Sequence, residues 1–228
     1  MEEIEDARRD MDERTFKQEF MADWVDYVGL VYYAFNETHL VKYTGAPKEV
    51  YIGIDFNVDP GSAVIAVNEG GLHIIDEIEL RNSNTFEMAD EITKRYGHCK
   101  IHVFPDPAGS ARKTSSTTTD HKILSNAGFN VHVRRSHPPV RDRINSVNSA
   151  FSSGKLILDP QCKSLRNCLT KLSYREGSNE QDKNSGLDHL PDALGYMVEY
   201  LYPITKIQTP RVEPARWAIN APPMRRFG

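Results

Sequence analysis

Two apolar runs joined by a short charged tip dominate the first half of the chain: Val50-Tyr-Ile-Gly-Ile-Asp-Phe and Ser62-Ala-Val-Ile-Ala-Val, closed by Asp59-Pro60-Gly61. Valine and isoleucine on both sides of an Asp-Pro-Gly turn predict a β-hairpin, with strands over about 50–56 and 62–68. The pattern continues as a strand over 72–80, a helix over about 85–96, a strand at 100–105, a helix near 118–127, a strand at 129–134 and a helix at 139–151. Three successive strands followed by alternating helix and strand predict an α/β fold, a mixed central β-sheet flanked by helices.

Downstream, Lys155-Leu-Ile-Leu leads to Asp159-Pro160, where Asp suits a helix N-cap and Pro the first helical position. The run from Tyr174 to Gly186 is polar and turn-rich, the pattern of a mobile loop or hairpin tip. A last helix opens at Asp188-His-Leu-Pro-Asp-Ala-Leu-Gly-Tyr, with Leu190, Ala193, Leu194, Met197 and Leu201 as its buried stripe. Positions 188, 192, 195 and 199 share its other face, where Gly195 leaves room and Glu199 reads as a solvated charge. Residues 1–23 read as a charged amphipathic helix carrying Met11, Phe16, Phe20 and Met21, and Tyr27 to Phe35 as strand-like. From Pro203 onward the chain is rich in proline and arginine, the composition of a flexible tail. The expected organisation is therefore a leading segment over 1–49, one domain over 50–202 and a tail over 203–228.

Composition changes this picture little. Hydrophobic content of 39% and charged content of 26% are ordinary for a globular domain, and no apolar stretch is long enough to span a membrane. The acidic N-terminus does not read as a signal peptide, and three cysteines without CxxC spacing predict neither a disulfide framework nor a zinc site. A reducing cytosol fits that usage. The net charge of −4 does not exclude a DNA partner, because distribution matters more than total. Arg134, Arg135, Arg141 and Arg143 crowd together, and Arg112 and Lys113 open the polar loop Lys-Thr-Ser-Ser-Thr-Thr-Thr; both segments offer phosphate contacts.

Three aspartates carry the chemistry. A carboxylate inside a hydrophobic strand is costly to bury unless it is paired or bound to a cation, and Asp55 is so placed. Asp106 closes the strand Ile101-His-Val-Phe-Pro, and Asp192 lies at the start of the last helix. From two strand ends and a helix start these carboxylates are expected to converge on hard divalent cations, which prefer oxygen ligands. Asp188 is expected to cap the helix, with the third carboxylate role as its alternative. Asp59 reads chiefly as turn chemistry, with a direct metal role as its alternative. His189 is close enough to Asp192 to assist proton transfer or steer a phosphate. His98, His102, His121 and His132 read as ordinary strand-edge or surface residues.

Gly53-Ile-Asp-Phe, Asp106-Pro-Ala-Gly, Asp142-Arg-Ile-Asn-Ser-Val-Asn-Ser-Ala-Phe and Asp188-His-Leu-Pro-Asp-Ala-Leu-Gly-Tyr together resemble the nuclease domain of the large terminase subunit, over roughly Val50 to Leu201. That family packages the DNA of tailed bacteriophages, and its nuclease has an RNase H-like fold. The resemblance implies metal-dependent endonucleolytic cutting of concatemeric double-stranded viral DNA during packaging. Two Mg²⁺ or Mn²⁺ ions about 3.5–4 Å apart would be held by Asp55, bridging, with Asp106 and Asp192 each on one ion. It also implies the ATPase motor, the portal protein and the small terminase subunit as partners, and a phage-encoded protein in the host cytoplasm. Arg14-Thr-Phe-Lys-Gln-Glu-Phe is similar to the segment that closes the family's ATPase domain, yet GxxxxGK[ST] occurs nowhere in the sequence, so ATP hydrolysis is not expected of this chain. Other RNase H-like nucleases, such as resolvases and transposases, and a non-catalytic DNA- or portal-docking module are the alternatives.

Overall fold

A computed structural model describes residues 29–57, 59–110, 118–178 and 180–204. The readings of residues 1–23 and of the tail beyond Ile204, and the phosphate role given to Arg112 and Lys113, lie outside the described residues.

A six-stranded mixed sheet forms the centre: β1 (Glu49–Asp55), β2 (Gly61–Asn68), β3 (Leu72–Leu80), β4 (Lys100–Pro105), β5 (Asn130–Val131) and β6 (Leu156–Leu158), in the order β5-β4-β1-β2-β3-β6. The predicted hairpin is present, with β1, β2 and β3 antiparallel in turn, while β4, β5 and β6 join in parallel. Among the described residues, five α-helices accompany the sheet: α1 (Thr85–Tyr96), α2 (Asp120–Asn126), α3 (Val140–Ser152), α4 (Lys163–Lys171) and α5 (His189–Leu201). Period-two alternation sorts the strand side chains between two cores. Val50, Ile52 and Ile54 of β1 join Met88 and Ile92 of α1 and Leu124 of α2. Val64 and Ala66 of β2 join the apolar faces of α3, α4 and α5 on the opposite side.

α5 lies directly on β1. A Cβ at Gly53 would run into the Ala193 carbonyl, so only glycine permits this approach. The predicted stripe of α5 is buried at Leu190, Ala193, Leu194 and Met197 and partly buried at Leu201.

Three predicted elements come out differently, each where a long-range side-chain contact competes with the local pattern. Residues 31–34 form a turn rather than a strand, with a single bridge from Leu30 to Ser173. Asn148 of α3 supplies the missing backbone partners, accepting from Ala34 N at 3.2 Å and donating to Val31 O at 3.0 Å. Asp159-Pro160 does not start a helix; Asp159 accepts from Tyr43 N at 2.7 Å and from Gln161 N at 2.9 Å. α4 begins only at Lys163, and its first amides, Ser164 N and Leu165 N, donate to the Glu77 carboxylate of β3 at 2.8 and 2.7 Å. The strand predicted at 129–134 is shortened to Asn130–Val131, because beyond His132 the chain leaves the sheet edge and Arg134 reaches Glu199 on α5.

Gly53→Ala should therefore destabilise the domain by about 1–3 kcal/mol, the cost of overpacking a filled core. Urea unfolding monitored by circular dichroism measures it; an unchanged midpoint would show that α5 yields freely.

Candidate active site

β1 and β4 run parallel, with Ile54 opposite Pro105, so both strands end at the same edge of the sheet. Asp106 N donates to Ile54 O at 2.9 Å, which locks the register at those ends. Because side chains alternate, Asp55 points to the same face as Gly53, and Asp106 to the same face as Phe104, toward α5. Crevices at the carboxyl ends of parallel strands are the usual ligand sites of open α/β sheets. Asp188 and Asp192, one turn apart at the start of α5, complete a pocket of about 390 Å³ lined by all four carboxylates.

The expected convergence of Asp55, Asp106 and Asp192 in one pocket is present, and Asp188 joins them. Asp188 occupies the N-cap position, but its side chain makes no capping hydrogen bond. The third helical residue is Pro191, which has no N–H to offer a capping carboxylate. The side chain turns into the pocket, where Lys183 Nζ stands 3.7 Å from Oδ2 while the buried Oδ1 accepts no hydrogen bond.

His189 Nδ1 lies 3.3 Å from Asp55 Oδ2, and this hydrogen bond, reinforced by Asp188, raises the imidazole above its ordinary range despite partial burial. Asn57 Nδ2 stands 3.1 Å from the ring nitrogens of His189. Burial raises the Asp192 carboxyl, with the Asp55 charge adding to it and Arg143 working against it. Asp59 is exposed in the hairpin turn and is not among the lining residues of the pocket.

The basic run divides. Arg143, expected on the surface against DNA, is only 3% exposed and gives Nη2 to Asp192 Oδ1 at 2.8 Å. Its guanidinium stacks 4.2 Å from the centroid of the Tyr196 ring, and Gly195 leaves the space for its side chain. Burial works to lower its pKa, but the Asp192 charge, Tyr196 and the hydrogen bond to Asp192 together raise it. Arg134 is likewise engaged, its Nε 3.1 Å from Glu199, which is therefore not a solvated charge. Arg135 and Arg141 are exposed.

Sequence reasoning missed His137, whose Nε2 lies 3.1 Å from Asp106 Oδ1 and 3.4 Å from the Tyr196 hydroxyl. It weighed the surrounding segment only as positive charge, and nothing local pairs residue 137 with residue 106. Asn57 was legible in principle, two positions after Asp55. His102 of β4 and His132, the residue after β5, both read as ordinary, form a pair with their nitrogens 2.8 Å apart, and His102 is held to Glu49 at 2.6 Å.

In the present geometry no three His, Cys, Asp or Glu side chains among the described residues are grouped closely enough to hold one ion. The donor set nevertheless suits a hard divalent cation: four carboxylates in one pocket, one with a buried oxygen that accepts no hydrogen bond and has His189 Nε2 near it, at 3.9 Å. Two further cationic groups, Arg143 and Lys183, line the same pocket and hold part of that negative charge.

An RNase H-like α/β sheet ending in a carboxylate-lined pocket defines the class. Residues 52–201 match the family model for the terminase RNaseH-like domain, and the chain belongs to that family. It is 26% identical over 216 residues to the large terminase subunit of Escherichia phage T5, covering 86% of this chain and 47% of that protein. The chain thus spans about half the length of this curated relative. The fold superposes on the large terminase of the thermophilic bacteriophage D6E with a TM-score of 0.70 at 19% identity, over 87% of this chain and 51% of the other. It also superposes on the large terminase nuclease of thermophilic phage G20c, solved with bound magnesium, with a TM-score of 0.53 at 16% identity, over 75% and 97% of the two chains.

Replacing Arg143 by Met strands a buried carboxylate and should cost about 3–5 kcal/mol of stability, as breaking buried ion pairs does. Adding Asp192→Asn should recover most of that loss, because the two changes remove one interaction. Thermal melts of both singles and the double measure the coupling; simple additivity would show that the pair is not energetically joined.

Proposed function

We propose that the chain is the metal-dependent endonuclease of a phage large terminase, cutting concatemeric double-stranded DNA during genome packaging. The observation that carries this reading is the single pocket lined by Asp55, Asp106, Asp188 and Asp192, with Asp188 Oδ1 buried and accepting no hydrogen bond. Asp55, Asp106 and Asp192 are the proposed ligands, joined by Asp188 in the accessory role; Mg²⁺ or Mn²⁺ bound as a pair would supply Lewis-acid stabilisation of the phosphate and activation of the attacking water.

The chain's own residues account for the rest. Asp55 and His189, in hydrogen-bond contact, are placed to hold and pass a proton beside the acidic pocket. Arg143 fixes the orientation of Asp192 and offsets part of its charge. His137 positions Asp106. Arg135 and Arg141 hold DNA phosphates, and Arg112 and Lys113 extend that grip. The ATPase motor, the portal protein and the small terminase subunit are the proposed partners, in the cytoplasm of the host cell.

A second reading has one observation in its favour. The Arg143–Asp192 pair neutralises part of the acidic site from within, as a domain that only docks DNA or the portal would permit. Incubating plasmid with Mg²⁺ or Mn²⁺ separates the two, since nicking or linearisation that EDTA abolishes supports the nuclease, whereas binding without cutting supports docking.

Asp55→Asn should lower cleavage on the order of a hundredfold or more, because losing a metal ligand forfeits several kcal/mol of transition-state stabilisation. Its melting temperature should hold or rise as repulsion among the carboxylates falls. Undiminished cutting would remove Asp55 from the site, and loss of the fold would make its role structural.

Arg135→Ala with Arg141→Ala should weaken binding to every sequence alike and flatten the salt dependence by about two phosphate contacts. An unchanged slope in fluorescence anisotropy titrations would place the DNA elsewhere.

A further inference from the structure

A second groove of about 310 Å³ adjoins the acidic pocket and shares Asp55, Phe56 and Asn57 with it. Its character is different. Ile54, Met88, Ile123 and the rings of Phe56 and Phe86 line it, with Asp120 among its polar groups. No lysine or arginine is among its described lining residues, and two aspartates are, so a phosphate is the wrong occupant. Phe86 is 58% exposed, the most exposed large hydrophobic side chain among the described residues. It stands in the first turn of α1, where its N–H donates to the cap residue Asn84 at 2.9 Å. Phe56 is wedged as well, since a Cβ on Gly109 would strike its ring and His121 lies 5.8 Å from it, centroid to centroid. A lone exposed ring is ordinary, but Phe86 continues the apolar lining of Ile54, Phe56, Met88 and Ile123 out to the rim, and a contiguous exposed apolar surface rimmed by polar residues marks a binding groove.

We propose that this groove takes one unpaired nucleobase of the strand being cut, next to the scissile phosphate, stacked on Phe86. The proposal rests on the nuclease reading above. An aromatic face and an apolar lining suit a flat heterocycle, and the carboxylates of Asp55 and Asp120, the latter also bonded by Thr85 Oγ1, suit the amino edge of cytosine, adenine or guanine. The charged backbone stays at the acidic pocket, one sugar away along the shared wall of Asp55, Phe56 and Asn57. Drawing a base out of the duplex costs stacking, which the Phe86 ring returns in part. Cutting is then favoured where a pair is already weak, without any base-specific reading of sequence.

The test uses the full chain and a short duplex of fixed sequence with Mg²⁺ or Mn²⁺, intact or carrying one abasic site moved stepwise across the cut. Phe86→Ala should leave the melt unchanged and slow cutting of the intact duplex on the order of ten-fold, the size of one lost base–aromatic stack. Phe86→Trp should restore the rate. At one abasic position beside the cut, Phe86→Ala and the parent should become equal, because the base that the ring holds is gone. Cutting of the intact duplex by Phe86→Ala at the parent rate would overturn the subsite while leaving the nuclease reading intact. So would a defect of the same size at every abasic position. A parent chain that cuts no DNA with either metal would overturn the nuclease reading, and the subsite with it.

Discussion

The close approach of α5 to β1 at Gly53 sets the geometry of everything that follows. Where the Ala193 carbonyl meets a backbone without a Cβ, the helix sits deep enough on the sheet for its first turn to overhang the strand ends. Asp55 and Asp106 come to that edge because β1 and β4 pair in parallel, and Asp188, His189 and Asp192 come to it because α5 starts there. A helix standing farther off would carry the same residues without bringing them into one pocket. The scaffold on both sides is ordinary apolar packing; the chemistry depends on one missing side chain.

Concentrating four carboxylates creates an electrostatic cost that the chain meets in several ways. Arg143 is buried against Asp192 and braced on Tyr196. His137 holds Asp106, His189 holds Asp55, and Lys183 lies beside Asp188. Each carboxylate thus has its own positively charged or protonatable neighbour, drawn from three different segments. Such partners offset the repulsion among the carboxylates, and under the proposed function they define what a bound cation would displace or share. Among the described carboxylate oxygens of the pocket, the one buried without a hydrogen bond is Asp188 Oδ1, on the residue whose capping role Pro191 removes.

The two grooves that meet at the end of β1 differ in character, and under the proposed function they would divide the handling of DNA between them. One is acidic, flanked by histidines, and suits cations and the phosphate they bind. The other is apolar, rimmed by an exposed phenylalanine, and suits a base. Phe56 belongs to both, immediately after Asp55, so a change of strand position at this point is felt on each side. The hairpin that sequence marks most strongly is therefore also the element where the two surfaces are joined.

Much of the fold was legible because its signals are local. The β1–β2 hairpin follows from β-branched runs around Asp-Pro-Gly, α1 from its amphipathic period, and the α5 stripe from residues spaced three and four apart. The candidate carboxylates Asp55, Asp106 and Asp192 stood out because a charge at an apolar strand end or helix start needs a reason. What the sequence did not reveal depends on pairs far apart along the chain. Glu77 caps α4 across 87 and 88 positions, and Asn148 bonds the 31–34 turn across 117 and 114. Arg143 looked like a surface cation because it shares a segment with Arg135 and Arg141, which are exposed. Only the packing of α3 against α5 turns it inward onto Asp192, 49 positions away. Local pattern determines which segments form and which face is apolar, since those depend on nearest neighbours. Which charge meets which is decided by the tertiary structure, because a carboxylate's partner is chosen by where helices and strand ends finally lie.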